Sequence, residues 1–294
     1  MPIPTGLATM RAHLAEAERA LKAGPHPEKA RRDAETLLLL ALRRDVPDAN
    51  RAWLVAHQDE PASLCAASAL AGLIERRAAG EPIQYIGGDA EFYGLPFRVN
   101  RDVLIPRPET EHLVEKAIAL AEAFARPRIV DVGTGSGAVA IALAHALPAA
   151  QITATEISPV ALAIARENAE RNGIEDRIRF FEGDLLAPVA GEQFDIVVSN
   201  PPYVPEGDRA SLSVEVRDYE PTQALFAGGD GLAVYRRLIP EAYRALAPGG
   251  FIVLEIGCGQ QANVQALLEK EGFAGIDFST DLQGVPRVAT ARRP

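Results

Sequence analysis

Phe194-Asp195-Ile196-Val197-Val198-Ser199-Asn200-Pro201-Pro202-Tyr203 reads as a buried strand that stops abruptly. The run from Phe194 to Val198 is apolar and rich in β-branched residues, the pattern of a strand inside a sheet. Two prolines end it, because neither donates to a ladder and each fixes its own φ. Pro201 also pushes Asn200 towards an extended backbone. A rigid turn at a strand's C-terminal edge therefore presents an amide side chain, a proline-locked carbonyl and an aromatic ring. In an open parallel sheet, that edge is where ligands bind.

Outward from this turn, strands and helices alternate. Strands are expected at Arg128–Val132, Gln151–Glu156, Arg177–Gly183, Phe194–Ser199 and Gly250–Ile256, with helices at Gly137–Ala146, Pro159–Asn172 and Gly231–Leu246. That alternation implies an α/β fold with a mostly parallel sheet and right-handed crossovers. Phe273–Thr280 and Val285–Arg292, joined through Asp281-Leu282-Gln283-Gly284, predict an antiparallel hairpin at one edge. Pro205 to Gly231 is weakly patterned and reads as a loop region beside the turn, a lid or substrate clamp.

The N-terminal part differs. Apolar spacing predicts helices over Thr5–Ala23, Glu28–Leu42 and Ser63–Ala79, with a shorter one around Arg51–His57, and so a small helical bundle over residues 1–80. Gln84–Gly88 and Glu91–Val99 are expected to be two strands around a turn, a hairpin linker within 81–106. Val103 to Glu111 contains two prolines, and Glu109 and Glu111 sit where a helix dipole favours acids. The remaining domain is 107–294.

The 294 residues carry a net charge of −10, which disfavours a broad contact with nucleic acid. Two distant cysteines exclude a disulfide scaffold and fit a reducing compartment. The five histidines form no ligand-like pair, so no metal is expected. Met1 to Gly6 lacks the basic and apolar regions of a secretion signal, and no apolar run is long enough to cross a bilayer. These features predict a cytoplasmic protein; it is expected to act as a monomer, although nothing in the sequence itself fixes the oligomeric state.

Val130 to Gly137 follows a strand and opens a helix, with Gly133, Gly135 and Gly137 interleaved with Thr134 and Ser136. This G-x-G-x-G spacing is neither the dinucleotide fingerprint nor a P-loop. Asp131 beside it would repel a pyrophosphate and suit a cationic ligand. Glu156, ending the next strand, is placed for ribose hydroxyls. Asp184 follows the third strand, where it can take an adenine amino group while Leu185 packs on the ring. An adenosine without phosphates and with positive charge is S-adenosylmethionine.

An exocyclic or side-chain NH₂ on a planar π system is a poor nucleophile, because its lone pair is delocalised. The Asn200 side-chain oxygen and the Pro201 carbonyl can grip its two N–H bonds, with Pro202 stiffening the turn and Tyr203 packing on the planar group. Positioning of this kind supplies ~7–11 kcal/mol. The acceptors also stabilise positive charge developing on nitrogen.

Asn200–Tyr203 with Asp131–Gly137 resembles the class I, Rossmann-like methyltransferases that act on planar NH₂ groups. Gln84–Gly87, Phe92-Tyr93-Gly94, Leu104–Glu111 and Asp281–Arg287 narrow the likeness to the HemK/PrmC family, the peptide chain release factor N5-glutamine methyltransferases. The resemblance runs over essentially the whole chain. It implies methylation of the glutamine in the Gly-Gly-Gln motif of bacterial class 1 release factors, a role in translation termination. It also implies that the N-terminal bundle docks the release factor and that Phe92, Arg107 and Glu109 lie near the substrate. A related methyltransferase acting on a glutamine of a large-subunit ribosomal protein has a loop resembling Arg-Ser-Pro, where this chain has Arg107-Pro108-Glu109. An N6-adenine nucleic-acid methyltransferase shares the turn, but the acidic charge and the lack of a basic stripe oppose it.

Overall fold

The structure, a computed structural model, describes residues 8–281 and 283–294. The first residues of the helix expected from Thr5, and Leu282 of the terminal turn, lie outside the described residues. Two compact units emerge. Among the described residues, one runs through Gly88 and takes in Ser213–Tyr219; the other runs over Asp89–Leu212 and from Glu220 onwards.

The first unit holds α1 (Met10–Lys22), α2 (Ala30–Leu42), α3 (Arg51–His57), α4 (Leu64–Ala78) and α5 (Ile83–Gly87). Thr9, Asn50 and Ser63 cap three of these helices, each accepting from a backbone N–H three residues on. Leu14, Leu21, Leu37, Leu38 and Leu70 fill the core between them. Arg77 is buried and pairs with Asp33 at 2.6 Å and with Glu215, from the returning segment, at 2.7 Å.

Helix α5 corrects the strand expected over Gln84–Gly88. Tyr85 and Ile86 donate to the Pro82 carbonyl, and Gly88 closes the helix in the left-handed region at φ 79°. Ile83 and Ile86, three apart, both pack on the helical core. The apolar residues therefore follow a helical period that five residues are too few to reveal.

The hairpin lies further on. β1 (Asp89–Phe92) and β2 (Leu95–Arg98) pair antiparallel around Tyr93 and Gly94, both at positive φ as a type I′ turn requires. After α6 (Glu111–Ala121) come β3 (Arg128–Val132), α7 (Ala138–Ala146), β4 (Gln151–Glu156), α8 (Pro159–Arg171), β5 (Ile178–Glu182) and β6 (Phe194–Ser199). Helix Ala233–Ala245, β7 (Leu246–Glu255), helix Gln261–Glu271, β8 (Ala274–Thr280) and β9 (Pro286–Arg292) complete the chain. The helix at Gln261–Glu271 was not anticipated, and Pro205–Gly231 carries short helical turns at Glu206–Ser211, Val214–Tyr219 and Thr222–Leu225.

The seven-stranded sheet has the order β5-β4-β3-β6-β7-β9-β8. Its first five strands are parallel, and β9 runs antiparallel to both β7 and β8. β3 and β6 are buried along nearly their whole length, as central strands covered on both faces must be. The chain order reverses between β3 and β6, which opens a crevice at their C-terminal ends.

Candidate active site

Asp131 pairs with Val198 across the β3–β6 register, so the glycine loop after β3 and the proline turn after β6 emerge side by side. Ser199 Oγ donates to the Val132 carbonyl at 2.6 Å and locks the two exits together. Gly133, Gly135 and Gly137 all have positive φ, which lets the loop turn without steric penalty. Gly133 and Thr134 donate to the Thr155 carbonyl of β4.

A cavity of about 330 Å³ opens over this crevice, a volume suited to a small-molecule ligand. Of the residues singled out from sequence, Gly133, Gly135, Glu156, Asp184, Leu185, Asn200 and Pro202 line it. Pro221, Ala224 and Phe226 add an apolar wall from the Pro205–Gly231 segment. Val204 and Phe226 form a parallel bridge, which closes that segment on itself beside the turn.

Glu156 is held from two sides. Its Oε2 accepts from the Gly135 N–H and its Oε1 from the Ser158 N–H, both at 2.9 Å. Each carboxylate oxygen keeps a second lone pair for a ligand hydroxyl. Asp184 pairs with Arg237, a cavity residue that sequence gave no reason to select. Leu185 sits at φ 47°, an unusual conformation for a side chain of its size, and faces the cavity.

Asp131 does not line the cavity. It is 1% exposed, and its Oδ2 accepts from Thr134 Oγ1 at 2.6 Å and from the Ala140 N–H at 3.2 Å. Burial pushes its carboxyl up to about 7. Its place is beneath the loop, where it braces the start of α7 instead of facing the cavity, unlike the expectation that it meets a cationic ligand. Thr134 and Ser136 are buried beneath the same loop. Asn168 of α8 braces it too: its Nδ2 donates to the Ser136 and Arg98 carbonyls and its Oδ1 accepts from the Arg98 N–H.

At the turn, Asn200 Nδ2 donates to Thr110 Oγ1 at 3.1 Å. Thr110 Oγ1 in turn donates to Glu255 Oε2 at 2.6 Å. Thr110 and Glu255 are 5% and 3% exposed. Burial pushes Glu255 up to about 7, against the pull of the Thr110 and Tyr203 hydroxyls. Among the described residues, no donor is directed at Asn200 Oδ1 or at the Pro201 carbonyl. The Tyr203 ring packs on the core, with its hydroxyl 3.4 Å from Glu255 Oε1. Burial raises the Tyr203 pKa. Gln260 Nε2 donates to the Tyr203 carbonyl at 2.9 Å.

The three residues expected at the substrate separate. Phe92 is 1% exposed and packs edge-on against Phe97. It is a core residue of the hairpin and reaches no surface, which corrects that expectation: the aromatic side chains of β1 and β2 are the hairpin's own packing face. Arg107 pairs with buried Glu220 at 2.5 Å. Glu109 is exposed, and its charge raises the Glu255 carboxyl. Glu111 Oε1 accepts from the Tyr93 N–H at 2.8 Å and secures the hairpin turn. Thr110 and Glu255 were missed. A carboxylate in the apolar run Phe251–Ile256 was the available signal, because a buried charge needs a reason.

Comparison with known proteins adds an independent observation. The chain matches the PrmC N-terminal domain family over residues 12–88 and the Methyltransferase small domain family over residues 110–230. It is 44% identical over 265 residues to the release factor glutamine methyltransferase of Geobacter sulfurreducens, covering 90% of each chain. It is 39% identical over 287 residues to the release factor glutamine methyltransferase of Koribacter versatilis, covering 97% of this chain and 99% of that one. Among solved structures, the human Mettl16 catalytic domain aligns with a TM-score of 0.56 at 19% identity, over 68% of this chain and 76% of that one, a likeness of fold alone.

Proposed function

The chain belongs to the release factor glutamine methyltransferases, and from that membership we propose which of its residues hold the methyl donor and the amide that receives the methyl group. The protein is an S-adenosylmethionine-dependent enzyme that methylates a glutamine side chain of a peptide chain release factor. When bound, S-adenosylmethionine supplies a sulfonium-borne methyl group, which the amide nitrogen takes while losing a proton. The cavity residues fit such a ligand. Glu156, already oriented by two backbone N–H groups, accepts from the ribose hydroxyls. Asp184, steadied by Arg237, takes the adenine amino group, and Leu185 packs against the ring. The glycine loop allows close approach of the backbone.

Asn200 Oδ1 and the Pro201 carbonyl then grip the N–H bonds of the glutamine amide. The observation that carries this assignment is the Asn200–Thr110 hydrogen bond, which uses the Asn200 NH₂ and leaves its oxygen to face the crevice. Two acceptors on one NH₂ fix the direction of its lone pair and stabilise charge as it develops. No strong base is needed, because the amide proton becomes acidic once the nitrogen is alkylated. The glutamine is that of the Gly-Gly-Gln motif, and the enzyme works as a cytoplasmic monomer on protein rather than nucleic acid, a reading the net charge of −10 supports. No described helix is long and apolar enough to cross a membrane.

Asn200→Ala tests the assignment. We expect transfer of label from methyl-labelled S-adenosylmethionine to fall by roughly 100-fold or more, with cofactor affinity changed less than about threefold, a shift well under 1 kcal/mol. Equal loss of cofactor binding and of transfer would put Asn200 in the cofactor site instead.

A further inference from the structure

We propose that Thr110 and Glu255 form a positioning relay that fixes the Asn200 side-chain amide with its oxygen towards the crevice, and that this fixed orientation is what makes the site choose an amide over a carboxylate. The inference deepens the assignment of Asn200 as an amide acceptor and rests on it.

The direction of the relay follows from donor and acceptor counting. Above the pH of about 7 to which burial raises its carboxyl, Glu255 is ionised and acceptor-only, and the 2.6 Å separation from Thr110 Oγ1 lies in the range of a charge-assisted O–H···O bond. A threonine hydroxyl has a single proton, and it is used there. Only lone pairs of Thr110 Oγ1 remain for Asn200 at 3.1 Å, so the group facing it must be the Asn200 NH₂. The alternative rotamer would set the Asn200 carbonyl oxygen against the lone pairs of Thr110, next to a buried carboxylate. It would also turn the NH₂ into the crevice, where it would donate to a carbonyl or carboxylate rather than accept from an amide.

The surroundings hold the relay rigid. Thr110 lies in the stiff segment after Pro108, capped by its own N–H donating to the Arg107 carbonyl at 3.0 Å. Glu255 ends β7, and its backbone carbonyl accepts from the Tyr235 hydroxyl at 2.8 Å. Neither Thr110 nor Glu255 lines the cavity, so both act through Asn200. The glutamine and glutamate side chains are nearly isosteric, and shape alone cannot separate them. An acceptor pointed at the NH₂ position separates them strongly, because a carboxylate there meets only oxygen lone pairs.

Thr110→Val keeps the volume and removes the hydroxyl. The assay, run well above pH 7 so that Glu255 is ionised, uses full-length enzyme, a release factor, and the same release factor with its target Gln replaced by Glu. With Thr110→Val we expect kcat to fall roughly 10- to 100-fold, the scale of one lost charge-linked hydrogen bond. KM for S-adenosylmethionine should stay within about threefold. Thr110→Ser should restore most of the loss, since it returns the hydroxyl. Calorimetric binding should show the preference for Gln over Glu release factor shrinking by roughly 5-fold or more in Thr110→Val, as the freed Asn200 amide turns over; a purely structural defect would weaken both equally. A kcat within twofold of wild type, or an unchanged Gln-to-Glu binding ratio, would overturn the relay. If instead Asn200→Ala itself methylated the release factor at the wild-type rate, the acceptor assignment beneath the relay would be the part that failed.

Discussion

At the scale of single residues, the carboxylates divide by what they touch. Glu156 is presented to the cavity by two backbone N–H groups, whereas Asp131 is turned inwards to brace α7. Glu156→Ala should therefore weaken S-adenosylmethionine binding by roughly 1–3 kcal/mol, the scale of a lost charged hydrogen bond. Titration calorimetry measures this directly, and unchanged affinity would contradict the ribose role. Sequence placed both acids at the ends of strands but gave no means of knowing which way either faced. That depends on Thr134 and Ala140 arriving from the other side of the loop. The pairing of Thr110 with Glu255 was illegible for a related reason, although a lone carboxylate in the apolar run Phe251–Ile256 marked Glu255 itself. They stand far apart along the chain, and only the packing of the Pro108 segment against the end of β7 joins them. Asn200, by contrast, was legible, because the two prolines after it leave its backbone few choices.

At the scale of elements, the parallel strands were legible because each is a short apolar run with a turn at either end. Gln84–Gly88 misled because five residues with an isoleucine and a tyrosine suit a strand as well as one helical turn. The choice is made by Ile83 and Ile86 finding the helical core. The Pro205–Gly231 segment has little periodicity, since it is held at separate points, beside the turn through the Val204–Phe226 bridge and at Glu215 through Arg77, rather than by a buried face of its own. One such contact is tight. Gly231 has φ 72°, and a Cβ there would come within 2.3 Å of the Tyr203 carbonyl oxygen. Gly231→Ala should therefore displace the proline turn. We expect a destabilisation of about 1–3 kcal/mol, read as a lower thermal midpoint, together with reduced transfer. A midpoint equal to wild type would show that the segment yields freely.

At the scale of the whole molecule, the buried acids make stability depend on pH. Burial raises the native pKa values of Asp131 and Glu255 to about 7, above the ~4 of an unfolded chain. Between those values the native state binds more protons than the unfolded state. The contribution of each group is thus fully present below about pH 4 and is lost as pH rises through 7. In Asp131→Asn both hydrogen bonds can persist, because both converge on one oxygen. Urea unfolding of the cofactor-free protein should show wild-type stability falling relative to Asp131→Asn by up to about 1.4 kcal/mol per pH unit across that window. Parallel profiles would mean Asp131 titrates normally. The sheet, its antiparallel edge and the helical N-terminal part were legible from alternation and composition. The identity of the acceptor was not, since nothing in a strand-ending turn distinguishes a glutamine from another planar NH₂; the family likeness supplies it. Purified protein, methyl-labelled S-adenosylmethionine and a release factor test that claim most directly. The account predicts label in the release factor that disappears when its Gly-Gly-Gln glutamine is replaced by alanine, and that is lost in Asn200→Ala. Label that persists in the alanine-substituted release factor would contradict it.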